Sequence, residues 1–143
     1  MILFFAQKTD MPVINRDEIV RWIEVVARTY CKRIGDINYI FCDDNEILNL
    51  NQKFLGHEYY TDIITFDYTL HQKLSGDIYI SLDTVKSNSE IFNTHFIEEL
   101  YRVMIHGILH LCGIEDTTDR QRVKMRKAEN SALLILSEMR DKK

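Results

Sequence analysis

His106 and His110 stand four residues apart in the stretch HGILHLCGIED (106–116), with Gly113 three residues after the second histidine and Asp116 three after that. On an α-helix, positions i and i+4 lie one turn apart on the same face, with side-chain roots about 6 Å from each other. Both imidazoles can therefore address one cation. Zinc takes N, O or S ligands in a tetrahedral array, and a catalytic zinc keeps three protein ligands and one open position. A single helix face cannot surround an ion, so the third ligand must come from elsewhere. A glycine just past the last helical residue can take positive φ and reverse the chain. Gly113 is placed for this, and Asp116 then returns towards the histidines. The spacing predicts one Zn²⁺ per chain, held by His106, His110 and Asp116 at the end of a central helix. The competing reading is a histidine pair bonded to backbone carbonyls, with Asp116 capping the next helix. Cys112 is a rival soft ligand, but two residues past His110 it projects to another side of the helix.

Zinc proteases of the HExxH type carry a glutamate directly after the first histidine, where it takes a proton from the metal-bound water. Here that position is Gly107. Glycine cannot do this work, and inside a helix it costs about 1 kcal/mol relative to alanine. Its presence predicts a close backbone approach, to a strand or to a substrate, and argues against peptide hydrolysis by that route. Phosphoryl chemistry stays open, because a metal lowers the pKa of bound water to about 7 and polarises a phosphoryl oxygen.

The elements that must carry these residues can be traced along the chain. ILFFA (2–6) reads as a strand. Asn15 and Glu18 look like a capping pair for a helix over about 16–33, with Ile19, Trp22, Ile23, Val26 and Tyr30 on one face. DINYIFC (36–42) is an alternating strand, and Asp43 with Glu46 starts a helix to about Phe54. GHEYY (56–60) is a loop, TDIITFDY (61–68) a β-branched and aromatic strand, LHQKLSG (70–76) a turn, and DIYISL (77–82) another strand. Asp77 reads as a turn-closing residue. Helices follow over about 83–91, over 95–112 with Thr94 as N-cap, and over 119–140 with Thr118 and Gln121 as a capping box. The order predicts an α+β fold: one domain over 1–143, with a mixed sheet of about four strands and helices packed on it.

Composition narrows the class. The chain has 143 residues, 45% hydrophobic and 28% charged, with one proline and five scattered glycines, which suits a single folded core without a linker. Three dispersed cysteines without a CxxC fit free thiols in a reducing cytoplasm. No apolar run has the length of a membrane span, and the N-terminal MILFFAQ lacks the basic region of a signal peptide. The net charge of −4 argues against non-specific coating of nucleic acid. The charge is uneven, however. Residues 119–143 hold eight Lys/Arg against four Asp/Glu, and the remainder ten against eighteen.

Three stretches together resemble the YbeY family of bacterial metal-dependent endoribonucleases. HGILHLCGIED is similar to its signature H-G-x-L-H-L-x-G-Y-D-H, matching at His106, Gly107, Leu109, His110, Leu111 and Gly113. LNQKFLGHEYYTDIITF (50–66) and SGDIYIS (75–81) are similar to two further family stretches, in the same order, so the likeness runs from about 36 to 140. The resemblance implies cleavage of single-stranded rRNA in maturation of the 16S 3′ end and in ribosome quality control. Its implied partner is the small ribosomal subunit. The chain departs from the pattern at Asp116, where the family has its third histidine, at Glu115, which falls on the preceding aspartate, and at Leu55, which falls on an arginine implicated in catalysis.

His57 or Lys53 is expected to supply the charge that Leu55 lacks. Thr65 falls on a family serine and keeps a hydroxyl. Thr65, Asp62 and Glu115 are the candidates for catalytic assistance. RQRVKMRK (120–127) carries five basic residues and no acid. Arg120 and Lys124 are its candidates for phosphate contact. The plainer reading is a solvated helix face, with Val123, Ala128, Ala132 and Ile135 on the buried side. His71 and His95 read as surface residues. Two other functions fit the same residues: a peptidase-like metallohydrolase, and a ribosome-assembly factor whose zinc is structural.

Overall fold

A computed structural model describes residues 1–56 and 61–142. His57 and the rest of 57–60, the greater part of the expected loop, lie outside the described residues. The strands are β1 (Ile2–Ala6), β2 (Arg33–Cys42), β3 (Ile63–Asp67) and β4 (Lys73–Ser81). They form, among the described residues, one sheet in the order β1-β2-β4-β3, with β1, β2 and β4 parallel and β3 antiparallel at the edge. The helices are α1 (Arg16–Thr29), α2 (Asp44–Leu50), α3 (Leu82–Ile91), α4 (Phe96–Leu111) and α5 (Asp119–Asp141). This is the mixed-sheet α+β architecture that the element order predicts.

Local chemistry sets most boundaries. The Asn15 side chain accepts from the Glu18 N–H at 3.1 Å and starts α1. Glu18 also reaches across the molecule, where its carboxylate accepts from Arg140 at 2.8 and 3.1 Å and ties α1 to α5. The Trp22 indole N–H donates to the Ala132 carbonyl at 2.7 Å and makes a second tie. α1 ends at Thr29, not near 33, because Cys31 takes positive φ (58°) and Arg33 already opens β2. α2 does not run unbroken to Phe54. It passes into a π-helical turn, Asn51–Leu55, closed by the Gly56 N–H on the Asn51 carbonyl.

Two further expectations need correction. The 70–76 segment is only partly a turn: a Leu70–Lys73 bridge with His71 at φ 57° closes a tight hairpin, and β4 begins at Lys73. Asp77 therefore lies within a strand, where it accepts from the Asn38 side-chain amide at 3.0 Å. The N-cap of α4 is His95, not Thr94, because the first intrahelical bond runs from the Glu99 N–H to the His95 carbonyl at 3.1 Å. The Thr118–Gln121 capping box of α5 forms as expected.

The main core lies between the sheet and the helices α1, α4 and α5, around Trp22, Tyr39, Phe41, Ile78 and Met104. A smaller cluster of Cys42, Ile47, Leu50 and Ile64 sits under α2. α4 is the central helix of the main layer. A Cβ added at Gly107 would lie 3.0 Å from two carbons of Ile78 and 3.2 Å from Ile63 Cδ1. The glycine thus lets α4 settle directly on β3 and β4, and these strands are what it approaches.

This contact yields a prediction. Gly107→Ala should not bring the usual helix-propensity gain of about 1 kcal/mol, because overpacking against a buried isoleucine costs about 1–3 kcal/mol. Urea unfolding should show a net loss, partly recovered by Ile78→Val, which removes the Cδ1 atom. A stability gain for Gly107→Ala alone would contradict the packing account.

Candidate metal centre

α4 presents His106 and His110 to a cleft of about 620 Å³, which is also lined by Asp116, Asp62, Thr65 and Leu55. The turn that brings Asp116 back is fixed at both ends. Gly113 takes φ 102°, its N–H donates to the His110 carbonyl, and the Ile114 N–H donates to the Leu109 carbonyl. These two bonds form a Schellman stop. On the far side, Gln121 Oε1 accepts from the N–H groups of Thr117 and Thr118, and Arg122 donates to the Thr117 carbonyl at 3.1 Å.

The result brings His106 Nε2 to 3.3 Å from Asp116 Oδ2. Two ligands of a tetrahedral zinc ion, with bonds of about 2.0–2.1 Å, lie about 3.4 Å apart. This pair is therefore spaced as two ligands of one ion would be, and its imidazole and carboxylate are both acceptable zinc donors. His110 lines the same cleft one turn further along α4. Among the described residues no three His, Cys, Asp or Glu side chains are gathered closely enough to hold an ion as they stand.

The other nitrogen of His106 identifies a residue that sequence reasoning missed. Nδ1 lies 2.7 Å from Glu129 Oε2, on α5. The second oxygen of Glu129 accepts from Arg102 Nη1 at 3.0 Å. A carboxylate on the far nitrogen fixes the tautomer and ring orientation of a metal-binding histidine and raises its basicity. Burial works against charge on Glu129, but the hydrogen bonds from His106 and Arg102 prevail and hold its carboxyl below the usual range. Burial likewise opposes protonation of His106, but the Glu129 hydrogen bond and charge, with Asp116 and Asp62 behind them, raise its pKa overall. Burial pushes the Asp62 carboxyl up, partly offset by His106.

The remaining expected residues divide clearly. Asp62 and Thr65 line the cleft, and Leu55 does so without any charge. Glu115 is exposed and accepts from the Gln121 amide at 3.1 Å, outside the cleft lining. Lys53 places its ammonium 5.3 Å from the centre of the Phe54 ring. Arg120 and Lys124 are exposed on α5, and neither they nor Lys53 lines the cleft. The arginines that do are Arg102 and Arg126. Val123 is 57% exposed, and the buried stripe of α5 is Met125, Glu129, Ala132 and Leu136.

A helix seated on a mixed sheet, with two histidines and a returning aspartate lining one cleft, has the donor set of a histidine–carboxylate metal site. Comparison with known proteins gives the family. The family model described as Endoribonuclease YbeY matches residues 4–137. Proteins named Endoribonuclease YbeY are 53% identical in Parabacteroides distasonis, over 96% of both chains, and 56% identical in Bacteroides fragilis, over 94% of this chain and 96% of that one. The solution structure of TM1509 from Thermotoga maritima superposes with a TM-score of 0.68 at 26% identity, covering 99% of this chain and 93% of that one. The chain belongs to the YbeY endoribonuclease family.

The His106–Glu129 pair has a pH signature in chelator-treated protein. The depressed Glu129 contributes stability that is present above its ordinary pKa of 4.5 and lost as pH falls through the folded value. The raised His106 contributes stability that is full below 6.5 and lost as pH rises through its folded value. The destabilisation caused by Glu129→Gln should therefore be largest between these two values. Urea titrations in EDTA near pH 3.5, 5.5 and 8 check this; an equal difference at all three would mean that the pair carries no net coupling.

Proposed function

We propose that this protein is a zinc-dependent endoribonuclease that hydrolyses phosphodiester bonds of single-stranded rRNA in the cytoplasm, in the maturation of the small ribosomal subunit. The observation that carries the reading is His106 held between Glu129 and Asp116, one nitrogen on each, at the wall of an open cleft. Membership in a family whose relatives are named endoribonucleases supports the choice of RNA as substrate. No helix among the described residues is long and apolar enough to cross a membrane.

His106, His110 and Asp116 would hold the ion, which when bound supplies an activated water and a Lewis acid for the phosphoryl oxygen. Glu129 keeps the His106 proton on Nδ1, so that Nε2 presents its lone pair to the cleft. Arg102 neutralises Glu129 and keeps that carboxylate from adding to the negative charge near an anionic substrate. Asp62, desolvated and raised, is the cleft carboxylate suited to accept a proton at its Oδ atoms and pass it to the leaving oxygen. Thr65, on β3 and lining the same cleft, offers a hydroxyl to a phosphate oxygen. Glu115 is turned towards Gln121 and takes no part.

A peptidase reading has less support. The Cβ direction of Gly107 points at Ile78 and Ile63 of the sheet. A glutamate there would meet the sheet, so the protease arrangement has no room on this helix.

Protein purified without an affinity tag should contain about one zinc per chain by elemental analysis and should cut labelled single-stranded RNA while leaving casein intact. His110→Ala should keep the wild-type circular dichroism spectrum, lose zinc, and cut RNA at least about 100-fold more slowly. A folded His110→Ala variant as active as wild type would overturn the catalytic assignment. Cleavage of casein without cleavage of RNA would overturn the substrate.

A further inference from the structure

Two guanidinium groups approach Glu129 Oε1, and they are not equivalent. Arg102 closes to 3.0 Å with a side chain only 19% exposed, while Arg126 stops at 3.6 Å with its side chain 58% exposed. The carboxylate is already served, with Oε2 on His106 and Oε1 on Arg102. At 3.6 Å Arg126 adds attraction without a hydrogen bond, and an exposed pair of this kind is weak. An arginine has five N–H donors in a fork that matches phosphate. Arg126 therefore sits at the cleft wall with its donor capacity largely unspent.

Its position carries the argument further. Arg126 lines both the catalytic cleft and a second groove of about 390 Å³ between the start of α4 and α5, and Phe92, Glu99 and Arg102 line both as well. The two spaces therefore adjoin at these four residues. Past Arg126 the wall is mixed: Ile97, Leu133 and Leu136 are apolar, Arg140 is cationic, and Glu98 and Asp141 are acidic. At the rim Phe92, which caps the end of α3, is 58% exposed. A single-stranded nucleic acid alternates an anionic phosphate with a flat base, and its binding sites pair a cation with an aromatic platform. Arg126 and Phe92 provide these two parts, and both border the cleft and the adjoining groove.

We propose that Arg126 binds the backbone phosphate next to the scissile one, and that the groove beyond it, with Phe92 at its rim, takes the adjoining nucleotide. The inference rests on the ribonuclease reading above and adds a substrate subsite to it. If Arg126 served only to neutralise Glu129, its loss would act through His106 and the metal instead of through the substrate.

The test uses the full-length, zinc-loaded protein and a fluorescein-labelled single-stranded oligoribonucleotide of twelve nucleotides. Arg126→Ala should weaken binding by fluorescence anisotropy, and raise KM, by about tenfold, and should lower the salt slope of binding by about one. Zinc content should stay at the wild-type value, and Arg126→Lys should recover part of the affinity. Phe92→Ala should weaken binding by about threefold or more. Wild-type affinity and salt slope in Arg126→Ala would overturn the proposal, as would a fall in kcat and zinc content with KM unchanged. Wild-type affinity in Phe92→Ala would remove the nucleotide subsite. A wild-type protein that binds the oligonucleotide without cutting it would defeat the hydrolytic reading alone, and the affinities would still decide this inference.

Discussion

The seating of α4 on the sheet is the constraint on which the rest of the molecule depends. The helix contributes the largest share of buried side chains to the main core, and its axis can come no closer to β4 than the residue at 107 allows. A side chain at that point would lift the helix or tilt it. Either motion would carry His106 and His110 away from Asp62 and Thr65, which belong to the sheet edge, and from Glu129, which belongs to the next helix. Catalytic geometry tolerates little such displacement. The conformational penalty of a mid-helix glycine is thus offset by the register between a helix and a sheet that together frame one cleft.

The cleft is electrostatically unusual for a site proposed to admit a polyanion. Asp62, Glu99, Asp116 and Glu129 all line it, against Arg102 and Arg126. The arrangement limits this excess from within. Glu129 is matched by Arg102 and by a histidine whose protonation it favours, and burial holds Asp62 and Glu99 towards their neutral forms. The effective field at the cleft mouth is accordingly milder than a count of carboxylates implies, and a divalent cation would reduce it further.

Features governed by short-range chemistry were legible in the sequence. The caps at Asn15, Asp43 and Thr118 depend on one side chain and a nearby N–H, and the reversal at Gly113 on one backbone angle. The histidine pair and Asp116 share this property, because a helix and a tight turn connect them. Glu129 could not be found in this way. It lies 23 residues from His106, just past a basic stretch that reads as a solvated face, and its burial depends on partners from another helix. The exposure of Val123 follows from the same error, since a carboxylate on the buried stripe shifts the apparent hydrophobic phase of α5. The start of β4 was hidden because Gln72 and Lys73 are polar, and only cross-strand pairing reveals them as part of the hairpin.

The ties between distant parts of the chain bear on the order in which the site is completed. Trp22 reaches Ala132, Glu18 reaches Arg140 across 122 residues, and His106 leans on Glu129. As the polypeptide emerges during synthesis, both histidines and Asp116 precede the helix that orients them. A nascent chain therefore holds the three candidate ligands before it holds the carboxylate that orients His106, and α1 lacks its closing partner for the same interval. The orientation of His106 and the closing of α1 therefore both wait on the same C-terminal helix.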